Sequence, residues 1–179
     1  MSYGEQSKKA TMKYIKEKQQ EIKIRYKKDE FMFEVLPAIE RSGLAVATFI
    51  KLAVAEKIAA DKEHEKEIAG ILDAVKKATV QEIPAIFNDD CRQIILYGSY
   101  ARGDYTDDSD VDIAILTDSD RDQVKKYYPQ VDYIATKIGI DTTAIVNYVC
   151  LPYEEYQEKK SWYPFFKNIE KDGVLLYER

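Results

Sequence analysis

A Gly-Ser pair followed after ten residues by Asp-x-Asp is the feature of this sequence best suited to chemistry. The pair is Gly98-Ser99 and the acids are Asp110 and Asp112, within the stretch YGSYARGDYTDDSDVD. Gly98 lets the chain turn sharply after a strand, and Ser99 then begins a helical turn whose free backbone N–H groups can hold phosphate. The spacing therefore predicts one half of a nucleotide site.

Asp110 and Asp112 are expected to share one face of the strand that follows, because side chains alternate along a strand and Val111 then points into the core. Magnesium suits such a pair, since it takes one or two protein carboxylates and completes its octahedron with waters and substrate phosphates. Phosphoryl-type transfer depends mainly on positioning and charge neutralisation. The residues thus indicate a site for a magnesium-bound nucleotide.

The elements that must position these residues alternate between strand and helix from residue 91 onward. RQIILYG and VDIAILT are short apolar runs typical of strands, RDQVKKYYPQVDYIATKIG has helical spacing that ends at Gly139, and TTAIVNYVCL predicts a third strand. This order indicates an α/β or α+β domain built around a central sheet.

The stretch YGSYARGDYTDDSDVDIAIL closely resembles the minimal nucleotidyltransferase family, which has the DNA polymerase beta-like fold, and the tail YPFFKNIEKDGVLLYE resembles the end of that domain. The resemblance implies a small mixed sheet flanked by helices. It also implies transfer of a nucleoside monophosphate from a nucleoside triphosphate to an acceptor. By this resemblance, Gly98 and Ser99 would hold the outer phosphates, Arg102 would neutralise them, and the catalytic Asp110 and Asp112 would bind Mg²⁺.

The same family carries a third carboxylate on a following strand, and the matching position in this sequence is Asn147. An amide coordinates metal weakly and can neither take a proton nor supply charge. Asp141 is about six strand residues away, roughly 20 Å, and Asp132 falls on the predicted helix. Retained transfer and a degenerate, nucleotide-binding site therefore both stay open.

Two further assignments have alternatives. Arg102 could form a surface salt bridge with Asp104 or Asp107 instead of contacting phosphate. Four aromatic residues near the end of the chain could stack on a base, although aromatic residues at this density are more typical of a core. They are Trp162, Tyr163, Phe165 and Phe166.

The first third of the chain differs in charge and pattern. Residues 1–60 contain 12 Lys and Arg against 8 Asp and Glu, whereas the remainder contains 15 against 24. Residues 21–27 alternate strictly, with Ile22, Ile24 and Tyr26 on one face of a short strand. Two helices are predicted to follow, the first ending at Ser42-Gly43, a typical C-terminal stop. A lone strand before them needs a second copy to pair its backbone. The pattern predicts a homodimer joined by a two-stranded ribbon.

The phrase RSGLAVATFIKLAVAEKI resembles the turn and second helix of the ribbon-helix-helix family of DNA-binding proteins. The resemblance implies that the ribbon lies in the major groove, with Glu21, Lys23 and Arg25 reading base edges, while the start of the second helix approaches phosphate. Pro37 inside the first helix and the missing Ser or Thr cap before the second depart from the pattern. A dimerisation module that does not touch DNA stays open.

Together the patterns predict an α+β chain of three segments: a ribbon-helix-helix-like module over residues 1–60, a helical connector over 61–90 and a minimal nucleotidyltransferase domain over 91–179. The connector contains His64, the sole histidine, with no sequence neighbour on which to act. No apolar run approaches the roughly 20 residues that span a bilayer, and the start lacks a secretory signal. We expect a cytoplasmic protein with Cys91 and Cys150 reduced.

The two resemblances combine into one functional hypothesis. Minimal nucleotidyltransferases of this type resemble antitoxins that add AMP to a tyrosine of a HEPN-type toxin, and ribbon-helix-helix modules are common among antitoxins that repress their own promoters. The hypothesis is a dimeric antitoxin that binds operator DNA and transfers AMP from Mg-ATP to a protein. The alternatives are a catalytically degenerate regulator or partner-binding antitoxin, and an antibiotic-type, small-molecule nucleotidyltransferase.

Overall fold

The computed structural model describes residues 22–179 and divides the chain into two compact units between Ile58 and Ala59. In the first unit, helix α1 (Lys28–Glu30) passes through a π-helical turn (Phe31–Val35) into α2 (Leu36–Ser42), which ends at Gly43 in the left-handed conformation. The predicted helix end at Ser42-Gly43 is confirmed. Pro37 follows the π-helical turn directly, so it lies inside a continuous helical run and not at a free helix start. Its missing N–H leaves one carbonyl of the preceding turn without a helical donor.

Residues 22–27 have no regular secondary structure in this single chain. Ile22, Ile24 and Tyr26, predicted to share one strand face, are all exposed. The predicted ribbon requires pairing between two copies, so it stays a prediction. Glu21 lies outside the described residues.

Helix α3 (Val46–Phe87) is 42 residues long, begins in the first unit and ends in the second. The predicted second helix and the predicted helical connector are therefore segments of a single helix, which continues past Pro84 to Phe87. No helix within residues 22–179 is long and apolar enough to cross a membrane.

The second unit is built on a four-stranded mixed sheet. Its strands are β1 (Cys91–Tyr97), β2 (Val111–Thr117), β3 (Val146–Pro152) and β4 (Val174–Glu178), in the order β3-β2-β1-β4. The β2 and β3 strands are parallel, whereas β1 is antiparallel to both of its neighbours. The small mixed sheet and the first three strands were predicted, but β4 was not.

Helices cover both faces of this sheet. The C-terminal half of α3 and helix α6 (Tyr128–Thr142) pack on one face, while α7 (Tyr153–Lys159) and α8 (Pro164–Asp172) pack on the other. Along β2, Ile113 and Ile115 belong to the hydrophobic core beneath α3 and α6. Ala114 and Leu116 belong to the core beneath α7 and α8. The central strand is therefore buried on both faces, as its continuous apolar run predicts.

The helical stretch before β3 is interrupted near its start and extends beyond Gly139. Helix α5 (Arg121–Val124) starts from a capping box formed by Asp120 and Gln123, and a 3₁₀ turn over residues 125–127 leads into α6. The predicted end at Gly139 is wrong by three residues. The helix ends instead at Thr142, and the left-handed backbone of Thr143 places its N–H on the Gly139 carbonyl at 2.8 Å.

Candidate active site

The Gly98-Ser99 pair forms the turn from β1 into a five-residue helix, α4 (Gly98–Arg102). Gly98 has φ +78°, a conformation that side chains disfavour. A Cβ at this position would also lie 2.5 Å from Oδ2 of Asp112. The absence of a side chain at Gly98 therefore allows the Asp112 carboxylate to lie directly against the turn.

Asp110, Asp112 and Asn147 form one polar cluster beside this turn. Val111, between the two acids, is buried, so the predicted alternation of this segment is observed. The parallel pairing of β2 and β3 places Asn147 opposite Asp112. The Asn147 amide donates hydrogen bonds to Oδ2 of Asp110 at 3.0 Å and to Oδ1 of Asp112 at 3.4 Å.

The environment of Asp112 disfavours its negative charge. Burial raises the pKa of this carboxyl above its ordinary value, and the nearby charge of Asp110 adds to the effect. The hydrogen bond from Asn147 and the positive charge of Arg102 act in the opposite direction on the same pKa. A cation beside the two acids would relieve this electrostatic penalty.

The chemistry of this cluster fits Mg²⁺. Asp110 and Asp112 supply carboxylate oxygens, the ligands that Mg²⁺ prefers. Both carboxylates already point at one shared hydrogen-bond donor, the Asn147 amide nitrogen. Within residues 22–179, no group of three or more His, Cys, Asp or Glu is arranged to hold a metal. Asp132 and Asp141 lie on α6, which covers the opposite face of the sheet, so neither joins the pair.

A row of side chains crosses three strands at the level of the cluster. Tyr97 lies opposite Asp112 on β1, and Asn147 lies opposite Asp112 on β3. The Tyr97 ring meets the ring of Phe165 edge-on, with centroids 5.7 Å apart. Burial raises the pKa of Tyr97 to about 12, and the charge of Asp112 contributes. Sequence reasoning missed Tyr97, although its place immediately before Gly98 at the end of a strand was the available signal.

The four C-terminal aromatic residues differ in environment. Phe166 is buried in the core under α7 and α8, whereas Trp162, Tyr163 and Phe165 are exposed. Phe165 is the member that contacts Tyr97 beside the acidic cluster. The core interpretation therefore applies to Phe166 alone.

Arg102 pairs with Asp104, one of the two salt-bridge partners that the sequence offered. Its Nε and one terminal nitrogen each lie 3.1 Å from a carboxylate oxygen of Asp104. The arrangement places the guanidinium at the end of α4, close enough to lower the pKa of Asp112.

The loop between α4 and β2 is held by contacts along its length. Tyr105 stacks on Tyr100 of α4, with ring planes 10° apart and centroids separated by 4.6 Å. The backbone N–H of Thr106 donates to the Ser109 hydroxyl at 2.9 Å, and the Ser109 N–H donates to the Thr106 carbonyl at 3.0 Å. These contacts fix the conformation of the loop immediately before Asp110.

His64 contacts the same loop. Its Nε2 hydrogen-bonds Oδ1 of Asp107 at 2.7 Å, and this bond raises the pKa of the imidazole above 6.5. Sequence reasoning assigned His64 no partner, because the two residues lie 43 positions apart and no local pattern joins them.

The residues predicted to read DNA are only partly described. Lys23 and Arg25 are exposed within the irregular segment 22–27, and Glu21 is outside the described residues. Helix α3 begins at Val46, within the segment expected to approach phosphate.

Residues 72–172 match the family model described as a nucleotidyltransferase domain, which covers more than half of the chain. The chain belongs to the nucleotidyltransferase domain family. The matched segment contains the whole polar cluster and ends with α8. The first unit lies outside the match.

Two relatives from Methanocaldococcus jannaschii are assigned by name as protein adenylyltransferases. One is 35% identical to this chain over 101 residues, which are 56% of this chain and 93% of the relative. The other is 48% identical over 50 residues, 28% of this chain and 46% of the relative.

Solved structures are also similar to this chain. A nucleotidyltransferase from Sulfolobus solfataricus has a TM-score of 0.40 at 23% identity, covering 64% of this chain and 86% of its own. A toxin-antitoxin complex solved with AMP-PNP has a TM-score of 0.40 at 20% identity, covering 60% of this chain and 73% of its own.

Proposed function

We propose that the second unit transfers AMP from Mg-ATP to a protein acceptor, and that the acceptor is a HEPN-type toxin. The observation that carries the proposal is the convergence of Asp110 and Asp112 beside the Gly98 turn. The identity shared with a relative named as a protein adenylyltransferase supports AMP as the transferred group and protein as the acceptor. The toxin as acceptor rests on the resemblance to minimal nucleotidyltransferase antitoxins.

Each residue of the site has a proposed role. Asp110 and Asp112 hold Mg²⁺, and the backbone at Gly98 and Ser99 binds the outer phosphates of the triphosphate. Arg102 adds positive charge near the same phosphates. When bound, Mg²⁺ supplies charge neutralisation to the phosphoryl group.

Asn147 limits the chemistry of this site, because an amide cannot accept a proton from the acceptor hydroxyl. The only carboxylates in the polar cluster are Asp110 and Asp112. We therefore expect transfer to be slow compared with a site that has a third carboxylate. The same observation favours the second candidate function, a degenerate domain that binds Mg-nucleotide and grips a partner without catalysis.

For the first unit we propose homodimerisation and operator binding. The first unit has an open apolar groove. Contiguous exposed apolar surface of this kind is typical of protein–protein interfaces, which supports a second copy as the partner. The groove is lined by Ile24, Tyr26, Val35, Phe49, Ile50, Ala53, Val54, Lys57 and Ile58. Exposed Lys23 and Arg25 beside the groove support contact with DNA.

Labelling with α-labelled ATP tests the proposed transfer. The protein is incubated with Mg²⁺, the product of the neighbouring gene and a panel of aminoglycosides, and the doubly substituted Asp110→Asn/Asp112→Asn protein serves as control. We expect label on the neighbouring protein, abolished in the control. Label on an aminoglycoside would establish the small-molecule alternative, and label on neither would favour the degenerate domain.

A further inference from the structure

We propose that Asn147 is a positioning residue, a clamp that keeps Asp110 and Asp112 together while no cation is bound. The inference deepens the proposed function and rests on it only in assigning a divalent cation to this pair. The amide nitrogen donates to both acids, at 3.0 Å and 3.4 Å. One neutral side chain thus bridges two groups of like charge.

The donor and acceptor chemistry fixes which end of the amide faces the acids. Ionised carboxylates only accept hydrogen bonds, whereas the amide NH₂ group has two donors and the amide oxygen has none. If the amide oxygen faced the acids, it and the two carboxylates would all be hydrogen-bond acceptors and would repel one another. The Asn147 nitrogen therefore faces Asp110 and Asp112, and each of its hydrogens can serve one of them.

The backbone keeps Asn147 in this position. Parallel pairing with β2 sets it opposite Asp112, and its neighbours Val146 and Tyr148 pack on the opposite face of the sheet. The Tyr148 hydroxyl is 2.6 Å from the hydroxyl of Thr79 on α3, and Thr79 is fully buried. A shift of β3 by one residue would break these contacts, so the amide stays on the carboxylate side.

The proposed role has an electrostatic consequence. With asparagine, the cluster holds its geometry at two negative charges and without metal. With aspartate, it would carry three negative charges and no donor, so its assembly would depend on a cation. Compared with aspartate, Asn147 lowers the affinity of the site for a cation, but it keeps Asp110 and Asp112 together before Mg-nucleotide binds.

Thermal unfolding with and without MgCl₂ tests this role, using Asn147→Asp and Asn147→Ala at neutral pH. The matched control is Asn168→Asp, which adds the same charge at an exposed position of α8. In chelator, both Asn147 variants should melt about 2–4 °C below wild type. Mg²⁺ should raise the melting temperature of Asn147→Asp more than that of wild type, and the control should behave as wild type.

Titration with Mn²⁺, followed by its electron paramagnetic resonance signal, separates a clamp from a metal ligand. A clamp predicts about tenfold tighter Mn²⁺ binding by Asn147→Asp and binding by Asn147→Ala no weaker than wild type. Weaker binding by Asn147→Ala would make Asn147 a ligand and overturn the proposal. An Asn147→Ala protein as stable as wild type in chelator would also overturn it.

These measurements use the metal alone, so their outcome is independent of AMP transfer. If the shifts appear while no acceptor is labelled, the clamp stands and the proposed transferase function falls. If an acceptor is labelled while the shifts are absent, the clamp falls and the transferase stands. Should Asn147→Asp fail to fold, the Asn147→Ala measurements still decide the question.

Discussion

At the scale of single residues, the site depends on the close contact between Gly98 and the carboxylate of Asp112. The contact predicts that Gly98→Ala weakens Mg-ATP binding by roughly tenfold or more, because the added methyl group would displace Asp112. Isothermal titration calorimetry measures this effect. Gly103→Ala is the matched control, since Gly103 has almost the same φ of +77° but no atom within 4 Å of the place where a Cβ would lie. Equal binding by the two variants would exclude a role for the Gly98 contact.

His64 provides a second prediction at this scale. Because Asp107 hydrogen-bonds the imidazole and raises its pKa, the protonated form is favoured and stabilises the fold at low pH. This contribution is complete below the unfolded pKa and is lost as the pH rises through the folded pKa. The single histidine signal in an NMR titration should give a pKa above 6.5, returning toward 6.5 in Asp107→Asn.

The control for the histidine titration is Asp108→Asn, which removes a neighbouring charge without the hydrogen bond. An unchanged histidine pKa in Asp107→Asn would mean that the two side chains do not pair in solution.

At the scale of elements, local patterns predicted more than long-range ones. The Gly98 turn and the alternation around Val111 follow from backbone preferences within a few residues, so sequence alone located them. The contacts of His64 with Asp107 and of Tyr97 with Phe165 join residues far apart in the chain. Neither contact leaves a periodic signal, which explains why sequence reasoning missed both.

Strand β4 and the end of α6 were missed for related reasons. The strand has only five residues, and its sequence VLLYE is a short apolar run without the alternation of polar and apolar residues that marks a half-buried strand. Helix α6 continues through Gly139 because the chain reverses only at Thr143, a residue type that rarely adopts the left-handed conformation. A glycine is the usual stop signal, and here it misled the prediction.

A prediction at the element scale concerns the ion pair between α5 and α7. Glu155 accepts two hydrogen bonds from Arg121, at 2.6 Å and 2.7 Å, and these together with Lys159 lower its pKa from 4.5 to about 2. The ion pairs of ionised Glu155 therefore stabilise the fold fully above pH 4.5, and this stabilisation is lost as the pH falls toward 2 and the carboxylate is protonated. Since Arg121 is largely exposed, solvent screening limits the contribution to about 1 kcal/mol.

Urea unfolding between about pH 5 and about pH 3 measures this contribution. Glu155→Gln should lose less stability on acidification than wild type, while Glu154→Gln should follow wild type. Parallel acid dependence in all three proteins would show that the ion pair contributes nothing.

At the scale of the whole molecule, the two units are proposed to serve different partners. Lys23 and Ile24 are adjacent in sequence and are expected on opposite faces of the ribbon between two copies. Ile24→Lys should convert a dimer to a monomer in sedimentation velocity. Lys23→Ala should keep the dimer and weaken binding to promoter DNA, measured by fluorescence polarisation, by roughly tenfold. A dimer that survives Ile24→Lys would contradict the ribbon.

The site for Mg-nucleotide at Asp110 and Asp112 underlies the proposed transfer, and calorimetric titration with ATP shows whether it exists. Wild type is titrated with and without Mg²⁺, alongside Asp110→Asn/Asp112→Asn. We expect magnesium-dependent binding that the double substitution abolishes. Absence of binding in wild type, or binding unaffected by the loss of both carboxylates, would refute the site.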